Sequence, residues 1–382
     1  IFLVYLFNRG FISKFLKFIV LTLLLSFSLT AQEKTATSLP NISLIGNFVG
    51  QNVDGDRSFG VQEVELSFQH YLYPGVKADV FIGLGKHEEG EEEGGYEVSL
   101  EEAYVTFMSL PATLFPNSSI NLPLGAMVGQ KLLAVGKLNA LHPEQWAFVD
   151  RPVVHQQFFG EGHGLARQGG QLAYLLPLPF FSQLEVGYWT AVSAHGHEEE
   201  EGAEEAEEAH GVEHENAMLH ARLWNSFKIG NASEVSIGLS SLTSNFNADQ
   251  DNDKSVITAF DVNLVRELSN NKSLDFQVEW FQAKYGEESS ARETQDGFVI
   301  TSLFNFSKLY SAGVRYSSLG KHGDENEDVT QVAYQITRQL TETSKFRIQH
   351  NVNDNPNDAV LDENVTLVQF IFGMGPHSHV LQ

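Results

Sequence analysis

The chain has 382 residues, no cysteine, 49 acidic against 24 basic side chains, and a net charge of −25. Without cysteine there is no disulfide framework, so an exported fold must hold together through its own sheet. The acidity excludes a nucleic-acid surface, which requires clustered Lys and Arg, and suits attraction of cations instead.

The N-terminus reads as an export signal. Lys14 and Lys17 precede an apolar run, Phe18 to Leu29, and Ser28, Thr30 and Ala31 put small residues before Gln32. A positive stretch, a short apolar stretch and a small-residue cleavage site predict residues 1–31 as a signal peptide and 32–382 as the mature unit. The apolar run is short for a spanning helix, and no later stretch reaches eighteen apolar residues.

Beyond it the chain alternates. In Val61 to His70, Val64, Leu66 and Phe68 share one face and Glu63, Glu65 and Gln69 the other. Val76, Ala78, Val80 and Ile82 alternate with Lys77, Asp79 and Phe81. The same rhythm sets Leu219, Ala221 and Leu223 against His220 and Arg222, and Phe276, Val278 and Trp280 against Gln277 and Glu279. It also sets Phe346 and Ile348 against Lys345, Arg347 and Gln349. About sixteen such segments begin near Leu44, Val61, Val76, Leu100, Leu124, Gln171, Leu184, Met218, Val235, Val256, Leu274, Gly297, Tyr310, Val329, Lys345 and Asn364. Segments of about ten residues with one apolar and one charged face suit a tilted crossing of a bilayer better than a soluble sandwich, whose strands average five to six. Short polar connections (Tyr73–Gly75, Asn270–Lys272, Thr341–Thr343) alternate with long acidic ones. The expectation is all-β: a transmembrane antiparallel β-barrel of about sixteen strands in the outer membrane of a Gram-negative cell, with its acidic loops outside.

One connection is unlike the rest. Residues 136–169 leave the strand pattern and carry His142, Trp146, Phe148, Asp150, Arg151, His155, Phe158, Phe159 and His163. Ordinary hairpin loops are two to five residues, and long loops in compact domains tend to carry function. This one reads as a constriction loop inside the barrel. Asp150 and Arg151 either set the charge of its eyelet or form an ion pair while the aromatic rings pack it to the wall. Glu63, Glu65, Asp79, Glu101, Asp150, Arg151, Arg222 and Glu279 are the expected pore-lining residues.

Residues 193–216 are the low-complexity tract, with four His and ten Glu between His195 and Glu215. Imidazole and carboxylate together suit zinc and its neighbours, so His195, His197, His210, Glu213 and His214 are candidate ligands. A solvated acidic loop with no ligand geometry is the plainer alternative. His377 and His379 near the C-terminus could add a second contact, or be part of a frayed end. Nucleophile-elbow, P-loop and H-E-x-x-H motifs are absent, and no enzyme is expected.

Val135–Asn139, His142-Pro143, Phe148–Pro152, Gly160, Gly164, Leu165 and the strand Leu172–Pro179 resemble a family of bacterial zinc-regulated outer-membrane receptors or porin-like proteins. The segment Phe372–His379 is similar as well. The resemblance implies passage or capture of zinc, as transported or bound ion. The expected function is a porin-like channel for divalent metal ions. Two alternatives stand beside it: a surface metal-binding protein without conduction, or a general, anion or carbohydrate porin. The expected partners are outer-membrane lipid, divalent cations and further copies in a homo-oligomer; nucleic acid is not among them.

Overall fold

The computed structural model describes residues 39–86, 96–117, 122–160, 162, 164–190, 217–245, 254–285, 293–320, 328–356 and 362–376. Sixteen antiparallel strands close into one barrel, each paired with its sequence neighbours and the first with the last. They are β1 Asn41–Val53, β2 Asp56–Tyr73, β3 Val76–Lys86, β4 Tyr96–Phe107, β5 Leu124–Leu132, β6 Ala166–Leu175, β7 Phe181–Thr190 and β8 Ala217–Ile229. The second half is β9 Ser233–Asn245, β10 Lys254–Leu268, β11 Lys272–Tyr285, β12 Glu293–Asn305, β13 Tyr310–Leu319, β14 Val329–Gln339, β15 Lys345–Asp354 and β16 Val365–Met374. Closure runs through β1 and β16, from Leu44 opposite Met374 to Val53 opposite Val365. It leaves no strand edge to pair elsewhere, as a sheet in lipid must.

Burial is inverted relative to a water-soluble protein. Leu66, Val128, Val186, Leu219, Leu239, Ile336 and Ile348 are exposed, while Glu63, Glu65, Gln69, Asp79, Glu279, Gln349 and Gln369 are buried. The side-chain period of two makes this inevitable once one face meets hydrocarbon. Aromatic rings gather beside the short turns, where an interface belt belongs: Tyr71 and Tyr73, Phe180 against Phe227 at 4.5 Å, and Phe306 stacked on Tyr310 at 6.3 Å. Among the described residues no helix is long and apolar enough to cross a membrane; the strands cross.

The long and short connections fall at opposite ends, with two exceptions. Asp54-Gly55 is a two-residue turn at the long-loop end, with φ of 43° and 101°. Its Asp-Gly pair is the standard signal for such a hairpin, and it explains why β2 starts at Asp56 and not near Val61. Residues 108–123, at the short-turn end, include a one-turn helix, α1, Leu110–Leu114, capped by Ser109.

The central excursion runs from Leu133 to Leu165, and Ala166–Gly170 already belong to β6. The expected range, 136–169, therefore ends four residues late, because Gly169-Gly170 interrupts the alternation. Gly169 lies opposite Gly129 of β5, with φ of 159° and 139°. A Cβ on Gly129 would strike the Ala103 carbonyl and the Tyr104 backbone. These glycines allow backbone to approach backbone in a conformation other residues avoid.

The predicted signal peptide 1–31, the tract 193–216 with His195, His197, His210, Glu213 and His214, and His163, His377 and His379 lie outside the described residues.

Candidate functional site

The segment Leu133–Leu165 enters the lumen and is bonded to the wall at β2–β4, β8, β11, β13 and β15. Its two ends are tied together first. The buried Asn139 donates to the Leu133 carbonyl at 2.7 Å and accepts from the Leu165 amide at 3.1 Å. Arg151 donates to the same Asn139 oxygen at 3.0 Å and to the Gly160 carbonyl at 3.0 Å. Burial lowers Arg151 to about 10, so it stays charged at neutral pH.

From there the segment meets β8, where His220 donates to the Ala134 carbonyl at 3.1 Å and Arg222 to the Gly136 carbonyl at 2.9 Å. It meets β11 at Glu279, which accepts the Lys137 and Leu138 amides at 2.5 and 3.2 Å. His155 Nε2 lies 3.2 Å from the same carboxylate. Burial pushes His155 below the ordinary histidine value, and Glu279 pulls the other way.

On the far wall, Lys345 of β15 donates to the Glu144 carbonyl at 2.5 Å and Arg347 to the Trp146 carbonyl at 3.0 Å. Gln349 accepts the Val149 amide at 2.6 Å. Asp150 receives Arg315 of β13 at 2.8 Å, and Gln349 and Asn351 of β15 at 2.6 Å each. The partner of Asp150 is thus Arg315, not Arg151, and Phe148 lies 4.9 Å beneath the Arg315 guanidinium.

A second helix, α2, Val153–Phe159, packs Val154, Phe158 and Phe159 into an apolar cluster with Phe281, Ala283, Val299, Leu319 and Trp189. The aromatic residues of the segment serve packing: Trp146, Phe148, Phe158 and Phe159 are all buried. At the remaining wall, β2–β4, His142 sits against Phe81 at 5.0 Å between ring centroids. Its Nδ1 lies 2.7 Å from Glu65 and its Nε2 is hydrogen-bonded to Glu102 at 2.9 Å. Burial opposes its charge, but Glu101, Glu102 and Glu65 outweigh that and hold it well above the ordinary value.

The segment does not fill the whole cross-section. A cavity of about 380 Å³ remains between Ala134, Gly136, Lys137 and Ala140 and the wall from β4 to β8. Its edge carries Lys131, Lys137, Arg222 and Glu185, with Gln171, Gln183 and Trp224. Arg222 is paired in two hydrogen bonds with Asp261, at 2.9 and 3.0 Å.

Of the expected pore-lining residues, only Arg222 borders this cavity. Glu63, Glu65, Asp79 and Glu279 point inward but are 4 % exposed or less. Glu101 sits near His142, 3.6 Å away, and Asp150 and Arg151 are engaged as described. Sequence reasoning missed Glu102, Asp261, Arg315, Gln349 and Asn351. Asp261, Arg315, Gln349 and Asn351 are inward residues of alternating strands, so their face was legible and their partners were not; Glu102 turns inward beside Glu101 because the register shifts between Phe81 and Ile82, which alternation does not reveal.

No family model matches the sequence. An uncharacterized protein of Aquifex aeolicus (strain VF5) is 25% identical over 390 residues, covering 89% of this chain and 79% of that one. Solved structures carry the fold. An anion-selective porin from Comamonas acidovorans superposes with a TM-score of 0.55 at 11% identity, over 88% of this chain and 99% of its own. The outer membrane channel DcaP of Acinetobacter baumannii gives 0.54 at 11%, over 87% and 96%. OprB of Pseudomonas putida gives 0.51 at 9%, over 88% and 94%. The chain has the fold of a porin-like outer-membrane barrel.

Proposed function

We propose that the protein is a passive channel for small hydrophilic solutes, with its path beside the inner segment along the β4–β8 wall. The observation that supports this most is the cavity of about 380 Å³ left between the segment and this wall. With Arg222 neutralised by Asp261, the charges at its edge are Lys131 and Lys137 against Glu185. A low-dielectric passage focuses the field of such groups. The path therefore favours small anions and dipolar solutes slightly, and a general porin fits it better than a channel dedicated to cations.

Passage of zinc, which the family resemblance implies, would call for carboxylates along the open path. The inward carboxylates Glu63, Glu65, Asp79 and Glu279 are packed away from it. Capture of metal by the tract 193–216 would be a property separate from the path.

Reversal potentials across a planar bilayer in a salt gradient test the proposal. Wild-type protein should give discrete conductance steps with a weak anion preference, and Lys137→Glu should move the preference toward cations. An absence of steps, or strict cation selectivity of the wild type, would end it.

A further inference from the structure

We propose that Glu63, Glu65, Glu101 and His142 form a buried site for one divalent cation of the borderline class, zinc or a neighbour, which staples the inner segment to the wall. The donors come from three elements: β2 supplies Glu63 and Glu65, β4 supplies Glu101, and the segment supplies His142. One ligand oxygen from each of the three glutamates lies within 4.8 Å of the others. A second triad, Glu65, His142 and Glu144, meets the same limit and shares Glu65.

The spacing suits a metal. His142 Nδ1 is 2.7 Å from Glu65 Oε2 and 3.6 Å from Glu101 Oε2. Two donors on a tetrahedral ion with bonds of about 2.0–2.1 Å sit roughly 3.3 Å apart, so on binding the Glu65 contact opens, the Glu101 contact closes slightly, and the glutamate oxygens, now within 4.8 Å of one another, draw in around the ion.

The ring is also held as a ligand must be. Its far nitrogen, Nε2, bonds to Glu102 Oε2, and the other Glu102 oxygen accepts the Leu132 amide at 2.7 Å. A metal-binding imidazole is typically oriented by a carboxylate in this way, which leaves the near nitrogen for the ion. Glu102 is therefore a positioning residue and not a donor.

The chemistry of the set selects the ion. Three carboxylates with one imidazole favour zinc and its neighbours over magnesium and calcium, which prefer oxygen alone. Charge argues the same way. Glu65, Glu101 and Glu102 gather round one imidazole, with Glu63 beside Glu65 and Glu101, and the three against the ring are at most 8 % exposed by side chain. Carboxylates at that density require counter-charge. A dication supplies it from within the donor set.

None of the four donors borders the cavity, so the site is a fixed staple and not a station on the path. The inference does not rest on conduction: a barrel that failed to conduct could still bind the ion.

Equilibrium dialysis of the full-length refolded barrel against zinc chloride, with bound metal measured by mass spectrometry, tests the site. His142→Gln should bind one equivalent fewer than wild type; the external tract is common to both and drops out of the difference. Equal stoichiometry would overturn the proposal and leave protons as the only occupants. Heat-dependent gel mobility shows whether H142Q has folded. If it has not, Glu102→Gln decides, since it keeps all four donors. The affinity of that one equivalent should then fall about 10–100-fold, and an unchanged affinity overturns the proposal.

Discussion

Arg315 shows how much one inward side chain does. It reaches the Asp150 carbonyl at 2.7 Å, the Asp150 carboxylate at 2.8 Å and Gln331 at 2.6 Å, over the face of Phe148. The planar fork lets a single residue hold both the backbone and the side chain of the segment's turning point. Asp150 keeps two amide donors and some solvent, so the loss on removing Arg315 is that of a charged hydrogen bond and not of a fully buried pair. Arg315→Ala should destabilise by about 2–3 kcal/mol, read as a lower urea midpoint in detergent. Arg315→Lys should recover only part, because it keeps the charge and loses the fork. Asp150-Arg151 suggested a local ion pair in sequence. The actual partner lies 165 residues away, a distance no local pattern spans.

At the scale of the element, the inner segment is held at its polar half by bonds and at its other half by α2. That helix is seven residues long and has no side-chain cap, so propensity alone would not form it. Its stability comes from Val154, Phe158 and Phe159 against Phe281, with Phe159 and Phe281 edge-to-face at 5.6 Å. Phe159→Ala should cost about 3–5 kcal/mol of local stability and free this half of the segment. The expected outcome is larger, noisier conductance with heat-dependent gel mobility retained, since the strand ladder does not depend on α2. Unchanged conductance would show that the segment does not set the width of the path.

At the scale of the molecule, inversion of burial decides the solvent. Leu239 lies at the middle of β9 and faces outward, and Ile229 ends β8 on the same outward side. In lipid the cost of a charge depends on depth. Leu239→Arg should cost about 2–4 kcal/mol and Ile229→Arg about 0–1 kcal/mol, compared by refolding titrations into lipid vesicles. Equal small costs at both positions would mean that water, not hydrocarbon, surrounds the barrel.

Strand number, antiparallel order and facing were legible in the sequence because a period of two is local: residues i and i+2 share a face whatever else the chain does. Sixteen segments of alternating pattern therefore became sixteen strands, with starts several residues off where Asp54-Gly55 and Gly169-Gly170 altered the pattern and where polar residues open a strand, as at Tyr96 and Glu293. The segment 133–165 could be seen as an exception to the alternation for the same reason. Only the tertiary structure decided what its residues touch. Closure of the sheet brings β2–β4, β8, β11 and β13–β15 around one stretch of chain, and it turns candidate pore carboxylates into packing partners. A partner across a barrel is set by strand register summed over the whole circumference, and no short stretch of sequence contains that sum.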